Sequence, residues 1–233
     1  PAPQFVRGRL APSPTGFLHL GNVWSFMHAW LSVRSKHGTL ILRMEDIDPQ
    51  RSKSAFADAA MEDLAWLGIN WDEGPFFQSG RMALYTEAIR KLSNSGLVYR
   101  CYCTRKELRA LAGAPHAGEC GSPYPSTCRN LTAEQRKNME TMGRHWALRV
   151  RYPEQDKGFY DMALSGRGEP LPEGLARLPG CRRDAQGRLI FSPEAAGGDF
   201  AICRSDGVVA YTLAVVVDDM DMEISEVVRG DDL

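Results

Sequence analysis

Residues 9–21, Arg-Leu-Ala-Pro-Ser-Pro-Thr-Gly-Phe-Leu-His-Leu-Gly, limit the backbone more tightly than any other stretch of the chain. Pro12 and Pro14 fix φ and withhold N–H donors, and Gly16 permits the positive φ that a tight turn asks for. The run before them, residues 5–11, is apolar except for Arg7, Gly8 and Arg9 and reads as a short strand. After them, residues 23–36 read as a helix, with Trp24, Met27, Trp30 and Leu31 at three- and four-residue spacing. A strand, a turn and a helix start bring unbonded backbone N–H groups and the positive end of a dipole to one point, which suits a phosphate. His19, Gly21 and Asn22 fall at that point. A proline-rich turn before an ordinary helix with a surface histidine is the plainer alternative, but a turn alone requires no such combination of residue types.

Residues 39–44, Thr-Leu-Ile-Leu-Arg-Met, read as a buried parallel strand and complete a strand–helix–strand unit. Ligands of such sheets bind beyond the carboxyl ends of the strands, where Glu45, Asp46 and Asp48 lie. Glu45 is assigned to the site, while Asp48-Pro49 reads as the start of the next helix. That helix is expected over 54–67, with Phe56, Ala60, Leu64 and Leu67 inward and Gly68 ending it. Another is expected over 81–95, with Met82, Tyr85, Ile89 and Leu92 on one stripe.

From residue 97 the style changes, and an inserted subdomain is expected. Four of the six cysteines, Cys101, Cys103, Cys120 and Cys128, cluster there. In a cytosolic chain this argues for metal rather than disulfides. Cys101 and Cys103, as alternate residues of a strand, project to one side and can meet one ion. Zinc takes four tetrahedral ligands and favours thiolate. Cys120 and His116 compete for the fourth place, and a set of buried free cysteines is the alternative. Thr104-Arg-Lys-Glu offers a capping box, and residues 131–142 read as a polar helix capped by Thr132. Residues 146–152 read as a strand, and 158–198, rich in Gly, Pro and Arg, as a hairpin with a long excursion. Cys181, inside that excursion, suggests no function. Ser205-Asp206-Gly207 has hairpin-turn chemistry. Residues 211–219 then lead back to the main sheet region, and 224–233 are expected to form a further buried strand.

Length allows one large core, or a core plus a smaller inserted unit. The net charge of −1 announces no nucleic acid, but charge is unevenly spread. Residues 100–151 carry ten Lys/Arg against four acids, and from 206 onward eight acids face one Arg. A basic middle segment suits phosphates, although a solvated mixed surface fits equally well. No apolar run is long enough for a bilayer and no secretory signal is evident, so a cytoplasmic chain with no membrane partner is expected.

His-Leu-Gly-Asn at 19–22 resembles the HIGH motif of class I aminoacyl-tRNA synthetases, with Asn22 in place of the second histidine. The thirteen-residue string resembles the glutamyl branch, Arg-x-Ala-Pro-Ser-Pro-Thr-Gly-x-Leu-His-x-Gly. Leu-Arg-Met-Glu-Asp at 42–46, Ala-Tyr-Thr-Leu-Ala at 210–214 and Val-Arg-Gly at 228–230 are similar to further strings of that branch. The resemblance implies an α/β fold: a Rossmann-type class I synthetase catalytic domain with an inserted zinc-bearing α+β subdomain. The halves of the catalytic domain would be 1–96 and 199–233, and the acceptor-like insertion 97–198. It implies ATP with Mg2+ at His19, Gly21 and Asn22, with His19 and Asn22 catalytic. It implies L-glutamate at Arg9, Leu10, Ala11, Pro12, Ser13, Glu45, Tyr211 and Arg229, with Glu45 receiving the amino group. Two guanidinium forks, two hydroxyls and one acid suit a ligand with two carboxylates and an ammonium. A glutamine amide would set its NH2 against buried donors.

The strings Glu-Asp-Ile-Asp-Pro-Gln-Arg and Gly-Pro-Phe-Phe-Gln-Ser, with Cys-x-Cys followed by Tyr-x-x-x-Cys, resemble a short branch of the family. Its members activate glutamate and attach it to the queuosine base of tRNA(Asp). This implies zinc on Cys101, Cys103, Tyr124 and Cys128, and tRNA(Asp) carrying queuosine as the macromolecular partner of a monomer. Rival expectations are a catalytic fragment of an ordinary glutamyl-tRNA synthetase, or a catalytically silent glutamate- or RNA-binding paralogue. The family's second, KMSKS-like, ATP motif does not occur, and truncation before that loop is expected.

Overall fold

The computed structural model describes residues 5–104, 106–108, 124–161, 171, 175, 180–193 and 195–230. In chain order its elements begin with β1 (Arg7–Leu10), α1 (Leu20–Ser35), β2 (Thr39–Met44), α2 (Ser54–Trp66), β3 (Glu73–Phe77), a 3-10 turn (Gln78–Arg81) and α3 (Met82–Asn94). They continue with β4 (Val98–Cys101), α4 (Ala133–Thr141), β5 (Ala147–Val150), β6 (Lys157–Phe159), β7 (Cys181–Arg183), β8 (Leu189–Phe191), β9 (Ala201–Cys203) and α5 (Tyr211–Asp221). The chain forms two compact units, one made of residues up to Ile89 together with those from Val208 onward, the other of Arg90–Gly207. No described helix is long and apolar enough to cross a membrane.

In the first unit β1, β2 and β3 form a parallel sheet in that order, with Arg7 opposite Thr39 and Leu10 opposite Leu42. The central strand is buried from Leu40 to Met44, as a parallel strand covered on both faces must be. Leu10, Leu40, Leu42 and Met44 pack against Ala29 and Val33 of α1 and Ala57, Ala60 and Leu64 of α2. Burying each of the larger side chains contributes about 1.5–3 kcal/mol. Gly8 permits the contact between β1 and α1, since a Cβ there would lie 2.4 Å from Val33 Cγ2. Of the stripe expected on α2, Ala60 and Leu64 are buried, whereas Phe56 and Leu67 are only partly covered.

Three expectations for this unit need correction. Helix α1 begins at Leu20 rather than at 23, because His19, a residue outside the usual capping set, serves as its N-cap. The face of α1 named by spacing also points largely outward: Trp24 is 64% exposed, and Met27 and Leu31 are exposed as well. Ala29 and Val33 are buried instead, with Phe26 and Trp30 against the core. A helix apolar around most of its circumference carries no periodic signal to choose its buried side. Finally, residues 224–230 form no strand. The N–H groups of Ser225 and Glu226 both donate to Arg7 O, at 3.0 and 3.1 Å, and Ser225 Oγ accepts from Arg7 N. Two donors on one carbonyl interrupt the alternation that a ladder needs, and Val227 stays half exposed.

In the second unit β4, β5 and β9 form an antiparallel sheet, with Cys101 opposite Ala147 and Leu148 opposite Cys203. Residues 199–207, expected in the second half of the catalytic domain, stay in this unit through the pairing of β9 with β5. The excursion contributes a small sheet, β6-β8-β7, with Lys157 and Cys181 both opposite Phe191. Buried Asp199 accepts from Arg129 Nη1 at 2.6 Å, Tyr152 N at 2.7 Å and Tyr99 Oη at 2.8 Å. The Thr132 cap of α4 is a full capping box with Gln135, and Thr104 and Glu107 make another.

Candidate active site

The end of β1 and the start of α1 are joined by the turn of residues 11–19. Glu45 N donates to Pro12 O at 2.9 Å and Lys53 N donates to Pro14 O at 3.0 Å, so the turn is tied to the carboxyl end of β2 and to the start of α2. At the helix start Gly21 N donates to His19 Nδ1 and His19 N donates to Asn22 Oδ1, both at 3.1 Å. With Nδ1 accepting, a neutral His19 ring carries its proton on Nε2 and presents an N–H donor away from the cap. A Cβ on residue 21 would lie 3.0 Å from His19 Cε1, so glycine lets the ring rest over the first turn. Asn22 thus holds the cap through its oxygen.

Beside this turn lies a cluster of buried charge. Arg43 is 0% exposed: its Nη1 donates to Asp219 Oδ1 at 2.6 Å, its Nη2 donates to Glu45 Oε1 at 3.2 Å, and its Nε lies 3.8 Å from Asp218 Oδ2. Arg9, 6% exposed, donates through Nη1 to Val228 O at 3.0 Å, and its Nε lies 3.6 Å from Asp219. Ser13 Oγ lies 3.4 Å from Glu45 Oε2. Asp218, 0% exposed, accepts from Gln78 Nε2 and Arg81 Nε at 2.8 Å and from Tyr85 Oη at 2.9 Å. Burial pushes the Glu45 carboxyl above its ordinary range, against the pull of Arg43, Arg9 and Ser13. Burial also lowers the Arg9 guanidinium, with Asp219 opposing. Burial acts on Arg43 in the same direction, but the bond to Asp219 and the charges of Glu45 and Asp218 outweigh it, so its pKa is raised.

Tyr211 stands at the start of α5, where burial raises its phenol and the charges of Glu45, Arg229, Arg9 and Arg43 all reach it. Arg9, Ser13, Glu45, Tyr211 and Arg229 therefore share one neighbourhood. Leu10 departs from the expected set: its side chain is fully buried in the core, which leaves only its backbone to face a ligand. Ala11 is half-buried, and Pro12 is buried. Arg43, Asp218 and Asp219 were given no role from sequence. The available signals were one Arg inside an apolar run and an acidic pair closing Val215-Val216-Val217.

In the second unit the sulfurs of Cys101, Cys103 and Cys128 lie within 4.8 Å of one another, with Cys103 and Cys128 3.6 Å apart. Tyr124 Oη is 3.3 Å from Cys101 Sγ and 3.9 Å from Cys103 Sγ, and accepts from Cys128 N at 3.0 Å. Tetrahedral zinc with thiolate bonds near 2.3 Å needs sulfurs about 3.8 Å apart. The spacing fits a metal ion. The Arg149 guanidinium sits 3.9 Å over the Tyr124 ring. Burial would raise the Cys101 thiol, but contacts from Tyr124, the Cys103 backbone and Arg149 lower it on balance. Burial and the charge of Cys101 push Cys103 up to about 12. Cys120 and His116 lie outside the described residues.

The first unit thus sets a His-capped helix start at the end of a parallel sheet, beside a buried acid and two guanidiniums. The family described as tRNA synthetases class I (E and Q), catalytic domain, matches residues 5–170, and this chain belongs to it. It is 50% identical to a glutamyl-Q tRNA(Asp) synthetase of Nitratidesulfovibrio vulgaris, over 98% of this chain and 66% of that protein. It is 42% identical to a glutamate–tRNA ligase of Nostoc punctiforme, over 97% of this chain and 44% of that one. Among solved structures, glutamate-tRNA synthetase of Elizabethkingia anophelis is similar at a TM-score of 0.74 and 25% identity, covering 98% of this chain and 45% of that one. The chain thus spans just under two thirds of the first relative and under half of the other two.

Proposed function

We propose that this protein activates L-glutamate with ATP and transfers it to the queuosine base of tRNA(Asp). The observation that carries the reading is the buried Glu45, held beside Arg9 and Arg43 at the sheet end next to a helix start capped by His19. Relatives named glutamyl-Q tRNA(Asp) synthetase, at 50% and 42% identity, support the choice of acceptor.

The ligand ammonium pairs with Glu45, its carboxylates with Arg9 and Arg229, and Tyr211 and Ser13 add hydroxyls. The glutamate α-carboxylate attacks the α-phosphorus of ATP, breaking the bond to pyrophosphate and forming the mixed anhydride. No side chain needs to become covalently attached. His19 Nε2–H and the α1 backbone donors stabilise charge on the phosphate oxygens, and Mg2+ arriving with ATP supplies further neutralisation. Cys101, Cys103, Tyr124 and Cys128 would hold zinc as a structural ion, within a second unit read as an insertion in the catalytic domain.

Glutamate-dependent ATP–pyrophosphate exchange tests the activation step: His19→Ala should slow it about 10²–10³-fold, with a stability loss no larger than that of one helix cap, about 1 kcal/mol. Unchanged kinetics would remove His19 from the mechanism. Transfer of labelled glutamate to tRNA(Asp) with and without queuosine tests the acceptor. Charging of a tRNA 3′ end instead would identify an ordinary glutamate–tRNA ligase.

A further inference from the structure

Asp219 and Arg43 take no part in the chemistry above, yet they join the groups that do. Asp219 touches two guanidiniums, Arg43 at 2.6 Å and Arg9 at 3.6 Å, while Arg43 reaches both Asp219 and Glu45, the latter at 3.2 Å. The order of charges is Arg9, Asp219, Arg43, Glu45. Arg43 is fully buried, so it meets no ligand and acts only through its neighbours.

A guanidinium favours a bidentate pair with one carboxylate. If Arg43 formed such a pair with Glu45, it would hold both oxygens of the acid that a ligand ammonium requires. In the structure Asp219 takes the shorter contact and Glu45 only one longer one. Asp218, held by Gln78, Arg81 and Tyr85, anchors the Nε side of Arg43.

We infer that Asp219 and Arg43 are positioning residues: Asp219 draws Arg43 away from full pairing with Glu45 and holds Arg9, and so keeps the pocket's acid and base spaced for an α-amino acid. The inference rests on the proposed glutamate site. The charged and polar groups facing Glu45 are Arg43 from β2, Arg9 from β1, Ser13 from the turn and Tyr211 from α5.

The test is steady-state exchange with the full-length protein carrying Asp219→Asn, Asp219→Glu or Arg43→Lys. In Asp219→Asn, Arg43 turns onto Glu45, so KM for glutamate rises about 10- to 100-fold. KM for ATP stays within about twofold, since no nucleotide contact changes. The acid limb of kcat/KM for glutamate moves to lower pH, because a closer guanidinium favours ionised Glu45. Asp219→Glu recovers part of the loss. In Arg43→Lys one ammonium cannot reach both acids, so KM for glutamate rises and the acid limb moves to higher pH. A glutamate KM within twofold of wild type in folded Asp219→Asn and Arg43→Lys overturns the inference, as does an equal rise in both KM values. Failure of both variants to fold makes the pair structural and overturns it too. A wild-type protein with no glutamate-dependent exchange overturns the proposed function itself, a result distinct from active wild type with unmoved variants.

Discussion

Around Arg43 in the first unit, acids and bases alternate: Arg9, Asp219, Arg43, Glu45, with Asp218 and Arg81 behind them. Around Cys103 in the second unit, Cys101, Cys128 and Tyr124 bring together thiols and a phenol, groups that become negative when they lose a proton. The first cluster compensates its own charge, so it can be buried as it stands. In the second, burial first, and then the charge of Cys101, drives Cys103 up to about 12, because each ionised thiol makes the next harder to ionise. Such a cluster calls for a cation from outside. Two polar clusters in one chain thus differ in charge balance, and only the second has the donor set and spacing to hold a metal ion.

The strongest way to break this contrast is to remove the ion. Protein prepared without chelator should carry near one zinc per chain, and stripping it should unfold the second unit, with an effect up to the ~10–16 kcal/mol apparent for structural zinc. A metal-free protein with native circular dichroism in both units would end the comparison. Next in size, Asp218→Asn takes one charge from the self-compensated cluster and leaves Arg43 and Arg81 short of an acid. It should cost about 3–5 kcal/mol in urea unfolding; a loss below about 1 kcal/mol would mean that the cluster is not held by charge balance.

Glu45→Gln sharpens the comparison in the opposite direction. The folded-state pKa of Glu45 is raised, so its stabilising contribution is full below the ordinary carboxylate range and is lost as pH rises through the raised value. At neutral pH the variant should therefore melt at or above wild type, by on the order of 1 kcal/mol or less, while glutamate binding is lost. Calorimetry of both properties checks this, and a clear fall in melting temperature would refute it. In the wild type, glutamate affinity should weaken as pH drops into the range where Glu45 takes up its proton. The smallest effect expected is that of Thr132→Ala, which removes the α4 cap and should cost about 1 kcal/mol, read from the unfolding of the metal-loaded protein.

Much of the scaffold was legible because the signals are local. The buried run of β2, the Thr132 and Thr104 caps and the Cys101–Cys103 alternation each depend on neighbours a few residues away. Helix α1 was legible as a helix but not in its orientation, since it is apolar on more than one side. Its first turn was obscured because a histidine makes the cap. The extended path of 224–230 was misread as a strand because side-chain and backbone bonds to Arg7 look the same in an apolar pattern. The strand β9 was assigned to the wrong unit for want of any local mark of its partner.

The residue order by itself determined the constrained turn at Pro12 and Pro14, the helix that follows it and the spacing of Cys101 and Cys103. These follow from backbone dihedrals and side-chain periodicity, which act within a few residues. Only the tertiary structure decided that Arg43 would divide itself between Glu45, two positions away, and Asp219, 176 positions away. A guanidinium in an apolar strand announces that it needs an acid. Which acid reaches it is settled by packing, because burial removes the solvent that would otherwise make every choice nearly equal.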